Sequence, residues 1–461
     1  MYIRFILFTI YSFISCFSFA QKSFSLEEAI KYAKTNSLKL KIQKTDIDDV
    51  NGQLKEYYAI GMPKLSASVS YNYFFKLPTS IFPNFLSRPI YDVLYDEKLL
   101  QEPRVYPDAG PGVPVQFGTK NNLTANLEFN TLLFDGSFFV GLKAQKLYKD
   151  LIIKQINQSE SELTYQVTKA YLATLAIQEN LILVEKNISN LEKVRKELTE
   201  IYAAGLIEKL DVDRIELSLQ NLTTEEEKLD AIATISINVL KFQMSFPLSE
   251  EFVLTDRLSE ALNKSYLEIM DPSFRLNIQQ RPEYPVITQS LRLAEINIKR
   301  FKVAYLPSLY GFASYQQSLQ RNKLFDSNDN DWFPTALAGL NLNIPIFDGF
   351  DKKAKIMRAK ALQDKTKLQL SQFENAANLE FENAKKQYLN ASLSIETRKK
   401  SLALAEKIYN TASIKFKEGI GSSLEITSAE RDVYQTQANL LDAQINLINA
   451  KVDLDKSMGK L

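Results

Sequence analysis

Histidine is missing altogether from the 461 residues. That removes the commonest general base, the commonest transition-metal ligand and the usual charge switch near neutral pH. Cysteine occurs once, at Cys16, so no disulfide can form within the chain. Long apolar runs are scarce too. Past the first twenty residues no stretch offers the roughly 18 uncharged apolar residues that a membrane-spanning helix needs, and mean hydropathy is −0.20. Charge of one sign is not in excess either: Lys plus Arg number 56 and Asp plus Glu 55. No global field therefore recruits nucleic acid or an acidic polymer. A catalyst would have to rely on carboxylates, Lys or Ser, and none of these clusters in a glycine-framed or metal-spaced motif. The reading is a non-enzyme with no cofactor and no metal.

Residues 1–20 read as an export signal. Arg4 supplies the positive end, Phe5 to Phe13 the apolar core, and Ser18-Phe19-Ala20 a cleavage site before Gln21. Cleavage there would remove Cys16. The alternative is a lipidated Cys16, for which Phe13, three places upstream, is a poor fit. Either route takes the chain out of the cytoplasm.

What is present in abundance is long-range repetition. Phe134-Asp135-Gly136 recurs 213 residues on as Phe347-Asp348-Gly349. The stretch from Tyr202 through Gly205 to Leu210-Asp211-Val212 recurs at an offset of 214 as Phe416, Gly419 and Leu424-Glu425-Ile426. Solenoid repeats are far shorter, about 20–50 residues, so a duplicated half-protein fits better. The expected repeats are 21–245 and 282–461, joined by a linker at 246–281. Each is expected to run helix, strand, loop, strand, then two long helices.

The strands announce themselves by a two-residue period. Leu65, Ala67, Val69, Tyr71 and Tyr73 alternate with Ser66, Ser68, Ser70 and Asn72; Leu123 to Asn130 and Ala338 to Ile346 do the same. Strands are expected at about 64–75, 121–134, 307–317 and 335–347. Tyr310 and Phe312 interrupt the polar face of the third. The intervening Leu77–Thr119 holds seven of the fifteen prolines and reads as irregular loop, as does Ser318–Phe333.

The helices follow a different rule. From Phe381 the seam runs through Ala384, Tyr388, Ala391, Ile395, Arg398, Leu402, Ala405, Tyr409 and Ala412 to Phe416, in alternating steps of three and four. Ile426, Ala429, Val433, Thr436, Leu440, Ala443, Leu447, Ala450 and Leu454 repeat the scheme. A period of 3.5 means a left-handed coiled coil, and the short turn around Gly419 and Gly421 makes it an antiparallel hairpin. The first half copies the pattern less strictly, with Arg195 at the position equivalent to Arg398. Long helices are expected at about 137–204, 209–245, 350–417 and 423–459. The first and third are each roughly 100 Å at 1.5 Å per residue.

Four strands with one apolar face cannot close on themselves, and open edges are not tolerated in lipid. Barrels start at about eight strands, so several copies must contribute. Tyr73, Phe74, Phe75, Trp332 and Phe333 fall near strand ends, where an aromatic girdle at the membrane interface belongs.

The repeat, the Phe-Asp-Gly before each long helix, the closing Gly419-to-Ala429 and Leu440-to-Lys451 segments, and the opening Ser25-Leu26-Glu27-Glu28-Ala29 with Ala33 and Asn36 resemble the TolC-like outer-membrane efflux family across nearly all of 23–459. The resemblance implies a mainly α fold with a membrane β-barrel. It would be a homotrimeric, twelve-stranded barrel with four strands per chain, continued by an antiparallel α-helical coiled-coil tunnel. It implies a passive exit duct in the outer membrane of a Gram-negative bacterium, with its helical part in the periplasm. Its partners would be a periplasmic adaptor, an inner-membrane pump and outer-membrane lipid, with no nucleic acid. Residues 21–36, 246–282 and the C-terminus would form a girdle around the tunnel. The alternative is a periplasmic coiled-coil adaptor or structural protein, which leaves the paired amphipathic strands unexplained.

In that family acidic side chains ring the periplasmic aperture. The matching positions are Glu425 and Ser428, with Asp211 and Arg214 in the first half; only one of the second-half pair is acidic. Glu425 facing Arg214 of a sister chain could hold the aperture shut, or these acids could simply favour helix N-termini. Gly205, Leu206, Leu210, Gly419, Ile420 and Leu424 would form the hairpin tips that meet the adaptor. Asp135-Gly136 and Asp348-Gly349 are expected as strand-to-helix junctions, each Asp able to cap.

Overall fold

The computed structural model describes residues 22–82, 87–106, 112–262, 274–325 and 332–461. The expected export signal with Cys16, and parts of the two inter-strand segments and of the expected linker, lie outside these. Within them two compact units separate. One is drawn from Met1–Gly52, Lys146–Glu295 and Ala359–Leu461, the other from Gln53–Gln145 and Ile296–Arg358.

The second unit carries the sheet. Strands β2 (Lys64–Tyr73), β5 (Asn121–Phe134), β7 (Ser308–Arg321) and β8 (Trp332–Asn343) pair in that order, antiparallel throughout. The third strand runs four residues further than its sequence suggests. Ser318, Gln320 and Arg321 are polar, but Thr124, Asn122 and Asn121 pair with them in register. The fourth strand ends at Asn343 rather than near 347, because Pro345 has no N–H to donate to a ladder. The proline-rich segment between β2 and β5 is not wholly irregular. It forms a ribbon, β3 (Thr79–Phe82) with β4 (Val113–Gln116), and a helix, α3 (Ser87–Asp96). Pro89 sits in the first turn of α3, where no intrahelical bond is lost. Arg104 secures this insert by pairing with Asp96 at 2.5 Å and Glu102 at 3.2 Å while lying over the Tyr95 ring.

The other unit holds the helical core. It opens with β1 (Lys22–Phe24), which pairs in parallel with β6 (Phe252–Leu254). Helix α1 (Leu26–Asn36) follows with a full capping box between Ser25 and Glu28, and α2 (Leu38–Gly61) continues past Ser37. Phe24, Tyr32, Phe246 and Phe252 pack mostly edge-to-face, with centroids 5.3–5.8 Å apart. Ala29 and Ala33 are fully buried, so α1 lies close against its neighbours.

The long helices are α4 (Gly136–Ala203), α5 (Lys209–Met244), α8 (Asp351–Lys417) and α9 (Ser423–Ser457), each within two residues of its expected end. Two shorter ones, α6 (Leu258–Leu262) and α7 (Glu283–Val303), complete the chain. The heptad seam is visible in burial. Phe381, Ala384, Ile395, Ala405 and Ala412 of α8 are buried, as are Ile426, Ala429, Val433, Ala443, Leu447 and Leu454 of α9. Arg398 is exposed, and Arg195 pairs with Glu216 at 3.1 Å. A second buried stripe on α9, from Ser423 through Thr427, Glu430, Gln437, Leu441 and Ile448 to Val452, has the same heptad spacing but lies off the seam from Ile426 to Leu454. Leu441, Ile448 and Val452 join one core with Val167 and Tyr171 of α4 and Ile215 and Leu219 of α5. Helix α9 is thus buried on two sides.

Near the C-terminus Arg281 is 4% exposed at its side chain and binds Glu283, Glu380 and the Ser457 carbonyl. It joins the segment before α7 to α8 and α9. Arg281→Met should lower stability by about 2 kcal/mol, since it leaves two carboxylates without their cation. The check is thermal unfolding followed by far-UV circular dichroism, with Arg281→Lys retaining part of the loss.

Candidate functional site

The strand register sorts the sheet into two unlike faces. On one lie Leu65, Ala67, Val69 and Tyr71 of β2 beside Phe129, Leu127, Ala125 and Leu123 of β5. Next come Ala313, Tyr315 and Leu319 of β7, then Ala338, Ala336, Trp332, Leu340 and Leu342 of β8. Gln317 breaks this apolar sweep in its middle, and Asn121, Arg321 and Thr131 lie on the same face towards its ends. The opposite face carries Ser66, Ser68, Ser70 and Asn72, then Thr124, Asn126 and Glu128, then Ser314, Gln316 and Ser318, then Thr335 and Asn341. Nothing in the described residues covers the apolar side of the outer strands: Val69 is 72% exposed and Leu340 69%. Strands β2 and β8 each have a single partner among the described residues, so each leaves one edge unpaired. An apolar face of this extent on strands of 10 to 14 residues has the dimensions of a lipid-facing wall. No described helix is long and apolar enough to cross a membrane.

Aromatic residues bound the sheet at both ends. Tyr73, Phe74, Phe75, Trp332 and Phe333 are exposed where β2 ends and β8 begins, and Tyr73 meets Phe75 edge-on. Sequence reasoning missed the opposite end, where Phe134, Phe139, Phe347 and Phe350 are exposed. The signal was available in the Phe of each Phe-Asp-Gly motif, but that motif reads first as a junction. It is also a junction. Asp135 accepts from the Ser137 and Phe138 amides at 2.7 and 3.1 Å, capping α4. Gly136 begins that helix, and a Cβ there would lie only 3.3 Å from Leu306 and from the Val303 carbonyl, a tight contact. Asp348 accepts from the Lys352 amide and ammonium, and the ammonium beside it holds its carboxyl below the usual range. Gly349 takes φ 64°, a left-handed value that suits glycine.

Within the helical unit the two hairpin turns match. Gly205 and Gly419 share φ 75° and close left-handed helix ends. Leu206 is 76% exposed and Ile420 78%, with Leu210 and Leu424 exposed beside them. Among the candidate aperture residues, Arg214 and Asp211 come together within the chain, and Glu425 and Ser428 stand apart from them. Arg214 donates to the Ser423 hydroxyl at 2.8 Å and lies 3.8 Å from the Asp211 carboxylate, to which Ser423 also donates. Glu425 is exposed on the α8 side of α9 near Lys415 and Asp432, with Ser428; its own amide donates to the capping Ser422 hydroxyl. Ser423, which links the two hairpins, carried no signal of its own in the sequence beyond its place before Leu424.

A family model described as outer membrane efflux protein matches residues 276–460. Nodulation protein T of Rhizobium leguminosarum bv. trifolii is 22% identical over 340 residues, covering 70% of this chain and 69% of that protein. The proteases secretion protein PrtF of Dickeya chrysanthemi is 23% identical over 323 residues, 68% of this chain and 65% of that one. The crystal structure of CusC, reported for its folding and transmembrane channel formation, superposes with a TM-score of 0.71 at 16% identity. That match covers 94% of this chain and 91% of CusC. Residues 276–460 of the chain thus match the outer membrane efflux protein family, and the chain as a whole shares the fold of CusC.

Proposed function

We propose that this protein is a passive exit duct of the outer membrane, assembled from three copies and serving a tripartite efflux or type I secretion system. The observation that carries the reading is the sheet with one bare apolar face and two unpaired edges. Open edges cannot be hydrated in lipid, so each copy's β2 must pair with the β8 of a neighbour. Three copies give twelve strands, within the range of closed barrels. The serine- and asparagine-rich face then lines the pore, and the long hairpins of a duplicated half-protein continue it into the periplasm. Leu206, Leu210, Ile420 and Leu424 offer the adaptor an apolar grip at the hairpin tips, beside Gly205 and Gly419.

In the same reading the aperture is held by Arg214. Its contacts with Asp211 and Ser423 join α5 to α9 within one chain. Arg214→Ala should raise single-channel conductance in planar bilayers by several-fold, and Glu425→Ala should change it less. Equal, unaltered conductance in both variants would remove the aperture from this account.

A further inference from the structure

The second buried stripe of α9 contains a carboxylate, Glu430, that is 2% exposed. It lies where α4, α5, α8 and α9 all meet. Its Oε1 accepts from the Tyr434 hydroxyl at 2.5 Å, while its Oε2 is buried with no hydrogen-bond partner. The same residue lines a cavity of about 260 Å³. On the α4 side stand Lys186, Asn187 and Asn190, and on the α8 side Glu406, Tyr409 and Asn410. From α5 the Ser218 hydroxyl reaches towards the carboxyl; Arg214 and Arg431 line a neighbouring pocket that shares Tyr434 and Ser218. Asn187 and Gln437 bond to each other across the junction at 2.8 Å.

A buried acceptor left unpaired costs free energy that a ligand can recover. An anion is excluded, because the free atom is itself an acceptor. A multivalent metal is disfavoured: the described residues hold no group of three acidic or sulfur ligands, and Lys186 stands at the cavity. A compact monocation with several N–H donors fits best. It would meet Oε2 directly, the face of Tyr409, and the amide oxygens of Asn190 and Asn410.

We propose that this cavity is a binding site for a small primary ammonium ion, which pairs with Glu430 and braces the joint between the two halves of the chain. Burial pushes the Glu430 carboxyl up from its ordinary range, against a weaker opposing pull from the Tyr434 and Ser218 hydroxyls. Empty, the site holds a proton to higher pH than an ordinary carboxylate does; an entering ammonium ion displaces whatever proton is held there to solvent. The sign for stability follows. The folded state holds the proton more tightly than the unfolded one, so stability falls as pH rises above the usual carboxylate value and levels off above the raised one. Bound ammonium opposes that fall.

The test is calorimetric titration of the intact, detergent-extracted protein with methylammonium chloride at about pH 5.5, in two buffers of different ionisation enthalpy. Saturable binding with proton release is expected. Glu430→Gln should weaken it at least about tenfold, abolish the proton release and flatten the fall in melting temperature with rising pH. Lys186→Met, at the mouth of the cavity, should tighten binding. No saturable heat in the parent protein, or equal binding by Glu430→Gln, would overturn the site and leave a hydrated cavity only. The readout needs a folded protein and no conduction, so its failure is distinct from failure of the duct.

Discussion

Val69→Arg should abolish recovery of the protein from the outer membrane, and Ser68→Arg should leave recovery intact. The two residues are neighbours in β2 and point to opposite faces, Val69 beside Ala125 and Ser68 beside Asn126. An arginine near the middle of a lipid-facing strand costs about 2–4 kcal/mol, and a closed ring of three copies bears that cost three times. On the polar face the same side chain is solvated by the pore. Extraction of outer membranes followed by a heat-modifiability gel reads the difference. Equal loss from both substitutions would point to general misfolding, and equal tolerance would mean the apolar face does not meet lipid.

Tyr171→Ala should be the most damaging single change in the helical unit. The ring is fully buried among residues of α1, α5 and α9, and its hydroxyl donates to the Phe24 carbonyl at 2.9 Å. Removing a buried aromatic side chain of this kind costs about 3–5 kcal/mol. Tyr171→Phe keeps the ring and gives up one hydrogen bond, about 1 kcal/mol. Thermal melts of the two variants should therefore separate by several degrees. A Phe variant as unstable as the Ala variant would place the stabilisation in the hydroxyl rather than in packing.

How much of this was legible beforehand depended on periodicity. The strands and the seam of α8 and α9 each repeat one simple interval, and their burial follows it. Strand ends were less legible because they rest on partners. Ser318 to Arg321 look like loop until Asn121 to Thr124 pair with them. The insert between β2 and β5 was misread for a related reason. Two of its prolines, Pro89 and Pro114, sit at a helix start and in the short β4 strand, positions that tolerate them. At the candidate aperture, sequence spacing selected Arg214 and Asp211 but could not show that Ser423 of the other hairpin lies between them. The second face of α9 was hidden for a similar cause. Ser423, Thr427, Glu430 and Gln437 are polar, and only their packing against α4 and α5 makes them interior.

The central claim is that the open edges of the sheet are paired between copies. In one chain β2 and β8 are separated by β5 and β7, roughly 14 Å at about 4.8 Å per strand, too far for a disulfide. With Cys16 replaced by serine, cysteines at Ser66, Ser68 or Ser70 can be combined in turn with cysteines at Thr335, Leu337 or Asn341. Oxidation in outer membranes, read on a non-reducing gel, should yield for at least one combination a ladder that ends at three subunits. A ladder ending at two or running past three, or monomer alone in every combination, would contradict it.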